Sequence, residues 1–274
     1  PDRVHVENEG NTLLLMPCFS GRFFLTKLVS VFPDASAYGQ PAVNGVVTLC
    51  DNRSGQPLAI LDAAELTAQR TGAVGGLAVR HLTPETVETA GIFGAGVQAL
   101  SQAGYLLFNR GIRRLHICSR SVESSEKMAG RLGERFPDVA FLPESDPDTL
   151  VEKSQVIIAA TTSSSPLFKT GGGPVAGKTF ISVGSYKPDM QEFPDAVIRA
   201  AGQVWVDTRF AAQESGDVAG PLEKGLIGPE QVHRFCEIID DPPQTGTRPL
   251  FFKSVGMALF DLSAAAAVYQ TALG

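Results

Sequence analysis

The sequence predicts an α/β fold in which an antiparallel sheet is followed by a parallel sheet whose strands alternate with helices. Three observations carry this. Residues 88–102, ETAGIFGAGVQALSQ, run from a short apolar strand pattern through Gly91, Gly94 and Gly96 into an Ala- and Leu-rich stretch of helical period. Before it, residues 3–51 alternate with period 2 between turn signals at Gly10-Asn11, Gly21, Pro33-Asp34, 39–41 and Asn44-Gly45, the mark of an antiparallel meander. After it, VIIAATT (156–162) is apolar almost throughout, as in strands buried on both faces of a parallel sheet.

In the first sheet, FFLTKLVSVF (23–32) puts Phe23, Leu25, Lys27, Val29 and Val31 on one face and Phe24, Thr26, Leu28, Ser30 and Phe32 on the other. Lys27 therefore enters the more apolar face, and two readings stand. It is a gatekeeper that stops an edge strand pairing with other chains, or a desolvated ammonium that pairs with an anionic ligand, because a buried lysine without a partner is costly. DNRSGQ (51–56) is a turn, and 58–61 closes the sheet. Asp62 with Glu65 reads as a capping box that opens a helix running to about Arg80. Its apolar stripe of Leu66, Ala73, Val74 and Leu77 also carries Arg70. A buried guanidinium must be paired. The partner is either a neighbouring acid or a substrate carboxylate, which planar arginine suits better than lysine. Gly72, Gly75 and Gly76 weaken this helix and point to a close packing partner.

The glycine stretch has the spacing Gly-x-Gly-x-x-Ala. Gly94 lets the chain turn, Gly96 removes the side chain that would hold a pyrophosphate off the backbone, and Ala99 lets the helix pack close on its strand. Free N–H groups and peptide dipoles at the helix start then favour phosphate, so the segment reads as Rossmann-type. The second strand, 113–118, ends in Ser119-Arg120-Ser121, where this fold normally offers an acid to the ribose 2′-hydroxyl. A hydroxyl and a cation suit a 2′-phosphate, which favours NADPH over NADH; the other reading of Arg120 is a solvated charge at a helix entry. A helix at 121–136, a strand at 139–142 and a short helix at 146–153 precede VIIAATT, which ends in small polar residues including Thr161 and Thr162 at the carboxyl edge, where such sheets bind ligands. The strand 180–183 ends in Gly184-Ser185-Tyr186. Beyond it the pattern gives a strand at 204–207, a helix from about Thr208, a glycine-rich loop at 216–225, a short helix at 229–235, a loop at 242–249 and a final strand and helix over 251–273.

With 274 residues, 43% of them hydrophobic and 19% charged, the chain is an ordinary globular protein with room for one large or two medium domains. A net charge of −6 without any Lys/Arg cluster argues against nucleic acid as a partner. No apolar run approaches the roughly 18 residues of a membrane span. Cys18, Cys50, Cys118 and Cys236 lie far apart, which suits reduced thiols in a cytoplasmic protein. His5, His81, His116 and His233 show no metal-ligand spacing, so no metal is expected.

TKLVSVFP (26–33), LDAAELTAQRTGAVG (61–75), GIFGAGVQA (91–99), SVGSYKPDMQE (182–192), ESGDV (214–218) and FKSVGMALFD (252–261) cover the chain nearly end to end. In their order and spacing the sequence resembles the ornithine cyclodeaminase/mu-crystallin family. The resemblance implies a dinucleotide-binding domain (66–250) inserted in an antiparallel substrate-binding and dimerisation domain (1–65 with 251–274), whose sheet pairs with a second subunit in a homodimer. It implies that Arg3, Lys27 and Arg70 hold a substrate α-carboxylate with Met16 lining the same pocket. Gly94, Ala95, Gly96, Val97 and Gln98 match the pyrophosphate loop. Ser119 replaces the acid of NAD-using cyclodeaminases, and mu-crystallin-like reductases, which prefer NADPH, carry an arginine at the position of Arg120. Ser119, Arg120, Ser121, Thr161, Thr162 and Gly184 complete the expected cofactor contacts.

One departure bears on the reaction. Cyclodeaminases of this family carry an aspartate two residues after the Val-Gly that ends the strand, and here that position is Tyr186. A phenol, with an ordinary pKa of about 10, is a poor general base near neutrality. Reduction of an imine asks only for a carboxylate clamp, a proton source and a well-placed hydride. The expectation is therefore an NADPH-dependent reductase of a cyclic ketimine carboxylate such as Δ1-pyrroline-2-carboxylate or Δ1-piperideine-2-carboxylate. Lys27 or Tyr186 would donate the proton, and Asp189 or Glu192 would orient them or stay structural. The alternatives are an amino-acid dehydrogenase or ornithine/lysine cyclodeaminase, against which Tyr186 counts, and a mu-crystallin-like binding protein, against which the three cations count.

Overall fold

The computed structural model describes residues 4–169 and 175–274. The chain divides into two compact units, Pro1–Arg70 with Met257–Gly274, and Thr71–Gly256.

The first unit is built on a five-stranded antiparallel sheet in sequence order: β1 (Val4–Asn8), β2 (Asn11–Ser20), β3 (Phe23–Val31), β4 (Val43–Asp51) and β5 (Pro57–Asp62). The β4–β5 turn is fixed by Asp51, whose Oδ1 accepts hydrogen bonds from Arg53 N and Ser54 N, both at 2.9 Å. One face of the sheet is buried: Leu25, Val47 and Leu49 pack with Leu262 and Ala265 of helix α8 (Ala258–Ala272). The opposite face leaves Leu28, Val46 and Ile60 exposed. Helix α1 (Ala63–Leu82) opens where the sequence places it, but its capping box is half made. Asp62 Oδ1 accepts from Glu65 N at 2.7 Å, while the Glu65 carboxylate accepts from Gln69 Nε2 at 2.8 Å instead of turning back.

The second unit carries eight parallel strands: β6 (Thr89–Phe93), β7 (Arg114–Cys118), β8 (Ala140–Pro143), β9 (Val156–Ala159), β10 (Thr179–Ser182), β11 (Val204–Val206), β12 (Val232–Arg234) and β13 (Leu250–Lys253). They lie in the order β12-β11-β13-β10-β9-β6-β7-β8. The order reverses at β6, between β7 and β9, which is where open α/β sheets form a ligand crevice beyond their carboxyl ends. Connecting helices are α2 (Val97–Asn109), α3 (Val122–Arg135), α4 (Pro147–Lys153), α5 (Asp195–Ala201), α6 (Ala211–Glu214) and α7 (Gly216–Glu223). Phe93 stacks on Phe168 at 6.0 Å and Phe193 meets Phe251 edge to face at 5.5 Å, forming an aromatic core. The close partner called for by the glycines of α1 is α2: a Cβ added at Gly75 would run into Gln102, and one at Gly72 into Ser101 and Tyr105.

Several sequence expectations need correction. Residues 216–223 are helix, not loop; the glycine that suggested a loop, Gly216, is needed because a Cβ there would strike the carbonyl oxygens of Pro188 and Met190. Residues 229–235 make only one 3-10 turn, Pro229–Gln231, because Val232–Arg234 pairs with β11 as the outermost strand. Helix α5, closed by Gly202 at φ +67°, was not anticipated. Residues 250–253 pair with β10 and β11 and so belong to the parallel sheet. No helix among the described residues is long and apolar enough to cross a membrane.

Candidate active site

In the first unit, Lys27 stands mid-strand on β3 with Met16 of β2 opposite on one side and Val47 of β4 on the other. These neighbours keep water away, and Lys27 is 3% exposed. Its ammonium donates to Thr67 Oγ1 at 2.9 Å and to Asp261 Oδ1 at 3.0 Å. Arg70 Nε donates to the same oxygen at 3.1 Å. Asp261 is wholly buried in the first turn of α8, where peptide dipoles favour a carboxylate. Its other oxygen, Oδ2, has no hydrogen-bond partner among the described residues. Two cations thus share a single carboxylate oxygen in a place closed to water.

The gatekeeper reading of Lys27 fails, because β3 lies between β2 and β4 and has no free edge to guard. The ammonium is desolvated, as the other reading required, and an anion it meets belongs to the chain itself. For Arg70 the neighbouring acid is present, yet it occupies only Nε; among the described residues neither Nη group makes a hydrogen bond. Asp261 was not singled out from the sequence. The signal was a lone acid in MALFDLSAAAA, a stretch that is otherwise apolar but for Ser263. Arg3 lies outside the described residues.

In the second unit, Gly94 adopts φ +104°, and a Cβ on it would lie 2.6 Å from Ala160 O, so only glycine fits. Gly96 is different: it is exposed, and beyond its chain neighbours nothing among the described residues lies within 4 Å of an added Cβ. Gly96 is also the N-cap of α2, with no side-chain cap and no acid in the first turn. The first N–H groups of this 13-residue helix are thus left for an outside acceptor. Gln98 Oε1 is buried there with no hydrogen-bond partner among the described residues. With Ala95 and Val97 completing the turn, this cradle fits a pyrophosphate.

At the end of β7, Ser119 Oγ donates to Ser121 O at 2.8 Å and lies 2.9 Å from Ser125 Oγ. Ser121 caps α3 through Ser124 N at 3.3 Å. Arg120 is exposed and makes no ion pair among the described residues. At the carboxyl ends of β9 and β10, Thr161 and Gly184 share a partner, Glu192. Thr161 N and Oγ1 donate to Glu192 Oε1 at 2.6 and 2.9 Å, and Gly184 N donates to Oε2 at 2.9 Å. A Cβ on Gly184 would overlap Thr161 O and Glu192 Oε1. Thr162 is exposed. Tyr186 is half exposed, its phenol without a hydrogen bond among the described residues and its ring 5.9 Å from Lys187 Nζ. Asp189 is exposed. Among the described residues, no group of three or more His, Cys, Asp or Glu could hold a metal ion.

The family model for the ornithine cyclodeaminase/mu-crystallin family matches residues 2–274. A Δ1-pyrroline-2-carboxylate reductase of Bacillus cereus is 33% identical over 273 residues, covering 97% of this chain and 83% of the relative. The structure of Thermococcus litoralis Δ1-pyrroline-2-carboxylate reductase in complex with NADH and L-proline superposes with a TM-score of 0.91 at 29% identity, over 100% of this chain and 86% of that one. An archaeal alanine dehydrogenase dimer with bound NAD gives a TM-score of 0.91 at 27% identity, over 100% and 85%. The chain belongs to the ornithine cyclodeaminase/mu-crystallin family.

Proposed function

We propose that the protein is a nicotinamide-dependent reductase of a cyclic ketimine carboxylate, of the Δ1-pyrroline-2-carboxylate or Δ1-piperideine-2-carboxylate type, with NADPH preferred over NADH. The observation that carries this reading is the buried group in which Lys27 and Arg70 share one oxygen of Asp261 while the Nη groups of Arg70 make no hydrogen bond among the described residues. Two N–H groups on a planar guanidinium match the two oxygens of a substrate carboxylate. Arg3 is assigned to the same carboxylate and Met16 to the pocket wall.

Gly94 to Gln98 would hold the pyrophosphate and Arg120 the 2′-phosphate, with Ser119 and Ser121 shaping the turn. Thr161, Thr162 and Gly184 would line the dinucleotide further along the sheet. The bound cofactor supplies the hydride. The nitrogen of the imine also needs a proton, and Lys27, an ammonium held by Thr67 and Asp261, or Tyr186 would provide it. The assembly is read as a homodimer, supported by the apolar outer face of the first sheet at Leu28, Val46 and Ile60 and by the dimer of the related alanine dehydrogenase. Free thiols at Cys18, Cys50, Cys118 and Cys236 suit action in the cytoplasm. That alanine dehydrogenase also favours a second reading, oxidation of an amino acid.

The test follows nicotinamide absorbance with NADPH or NADH and each imine, and with proline, alanine or ornithine and the oxidised cofactors. Faster oxidation of NADPH by either imine supports the proposal. Silence with both imines and reduction of cofactor by alanine or ornithine would replace it by the second reading. Arg70→Lys should raise the KM for the imine by roughly 10- to 100-fold, the worth of a lost charge-assisted hydrogen bond.

A further inference from the structure

The carboxyl ends of β9 and β10 converge on an acid that the reductase reading does not use. Glu192 is wholly buried, and so are Ser182, Ser185, Ser215, Asp217 and Lys253 around it. Glu192 Oε2 receives Gly184 N at 2.9 Å and Ser185 N at 3.3 Å, and lies 2.8 Å from Ser182 Oγ. Ser182 Oγ also lies 2.8 Å from Asp217 Oδ2 and 2.9 Å from Lys253 Nζ. Asp217 is otherwise fully engaged: Oδ1 accepts from Glu192 N and Phe193 N, both at 2.9 Å, and Oδ2 accepts from Ser185 Oγ at 2.7 Å.

The hydrogens in this cluster can be counted. Lysine has no acceptor when charged, so it donates to Ser182 Oγ. The Ser182 hydroxyl has one hydrogen, and two carboxyl oxygens lie within hydrogen-bond distance of it. It can donate to one of them only. The second contact is a hydrogen bond only if that carboxyl carries a proton of its own and donates it to Ser182. The count gives the pair one such proton, on Glu192 or on Asp217. Burial, which pushes the Glu192 carboxyl up, selects Glu192; the Ser182 hydrogen then goes to Asp217, every contact is satisfied, and Lys253 and Asp217 balance to zero charge.

We propose that Glu192 is a positioning residue that works as a neutral, proton-bearing carboxyl, fixing the backbone of Thr161, Gly184 and Ser185 for the nicotinamide end of the cofactor without adding a charge there. The role rests on the dinucleotide reading given above; the proton does not. The charged groups that face it are Lys253 from β13 and Asp217 from α7, with Asp207 beyond β11 acting on Lys253. Burial, opposed by Lys253 and reinforced by Asp217, pushes the Glu192 carboxyl up. Neutrality matters because the oxidised nicotinamide is a cation and the reduced one is not. An ionised, water-excluded carboxylate nearby would favour the oxidised cofactor.

The direct test is isotope-edited infrared spectroscopy of the whole chain labelled with carbon-13 glutamate. The wild type should show a protonated glutamic carboxyl at neutral pH. Asp217→Asn should abolish it while keeping the fold: the new carboxamide donates to Ser182 and Ser185, the Ser182 hydrogen turns to Glu192, and Glu192 ionises against Lys253. No such carboxyl in the wild type, or one unchanged in Asp217→Asn, overturns the assignment. For the role, folded Glu192→Gln should raise the KM for NADPH about tenfold, the worth of roughly one hydrogen bond, and leave the KM for the imine in place. A fall in thermal stability with the cofactor KM unchanged would mean a purely structural role and overturn the positioning claim. A wild type that shows the carboxyl but gives no fluorescence titration with NADPH or NADH would overturn the dinucleotide reading and the positioning role with it, while the proton assignment stood.

Discussion

The Lys27 ammonium and the Asp261 carboxylate, 234 positions apart in the chain, meet at 3.0 Å in a place from which water is excluded. Because Arg70 shares the same oxygen, the two ways of breaking this group are unequal. Asp261→Ala takes away the carboxylate that both buried cations share and should cost about 3–5 kcal/mol. Lys27→Met leaves Arg70 and Asp261 balanced and should cost clearly less. Urea unfolding of the two variants checks the order; equal losses would mean that Asp261 does not balance both cations.

The glycines of the β6–α2 turn should separate folding from binding. Gly94→Ala forces a left-handed φ and a clash with Ala160 O, and should destabilise the chain by about 1–3 kcal/mol. Gly96→Ala meets nothing among the described residues, so its melting temperature should stay within the scatter of the wild type while affinity for NADPH and NADH falls. Thermal melts with cofactor titrations check both. Unchanged affinity in Gly96→Ala would mean that no phosphate approaches this backbone.

Arg120 should decide between cofactors. Arg120→Ala removes an exposed cation that has no ion pair among the described residues, so stability should not change. The KM for NADPH should rise roughly tenfold or more, as for a charge-assisted contact, and that for NADH should not move. Parallel rises with both cofactors would assign the 2′-phosphate elsewhere.

Acid should favour the buried network of the second unit. Burial raises the Glu192 carboxyl in the folded chain, so the native state keeps a proton that the unfolded state releases from about pH 4.3 upward. The stability tied to that proton is complete below the unfolded value and is lost as pH rises through the folded one. In Asp217→Asn, where Glu192 ionises against Lys253, this downward slope should shrink. Denaturant midpoints measured across pH for both chains give the difference; identical slopes would mean that Glu192 does not hold the proton.

Where the sequence could be read, a local rule sufficed. Alternation along residues 23–32 put Lys27 on the buried face, and the glycine spacing located the β6–α2 turn. Asp261 escaped because its meaning comes from Lys27 and Arg70, which arrive from a strand and a helix far earlier in the chain. Glu192 was noticed but not understood, since its partners come from the ends of β9 and β10, and those of Ser182 from α7 and β13. Helix α7 was hidden by Gly216, a residue chosen for close approach to Pro188 and Met190 rather than for a turn.

Strand β13 comes after every other strand among the described residues and yet lies between β10 and β11. During synthesis, therefore, the β11–β12 pair has no hydrogen-bonded link to the rest of its sheet until residues 250–253 have been made, and the nascent chain carries two open strand edges where the mature protein has none. Lys253 also reaches Asp217 and Glu192 only at that late stage. Assembly of the second unit thus waits for residues 250–253, and a chain cut short of β13 would have its sheet split in the middle rather than trimmed at the rim.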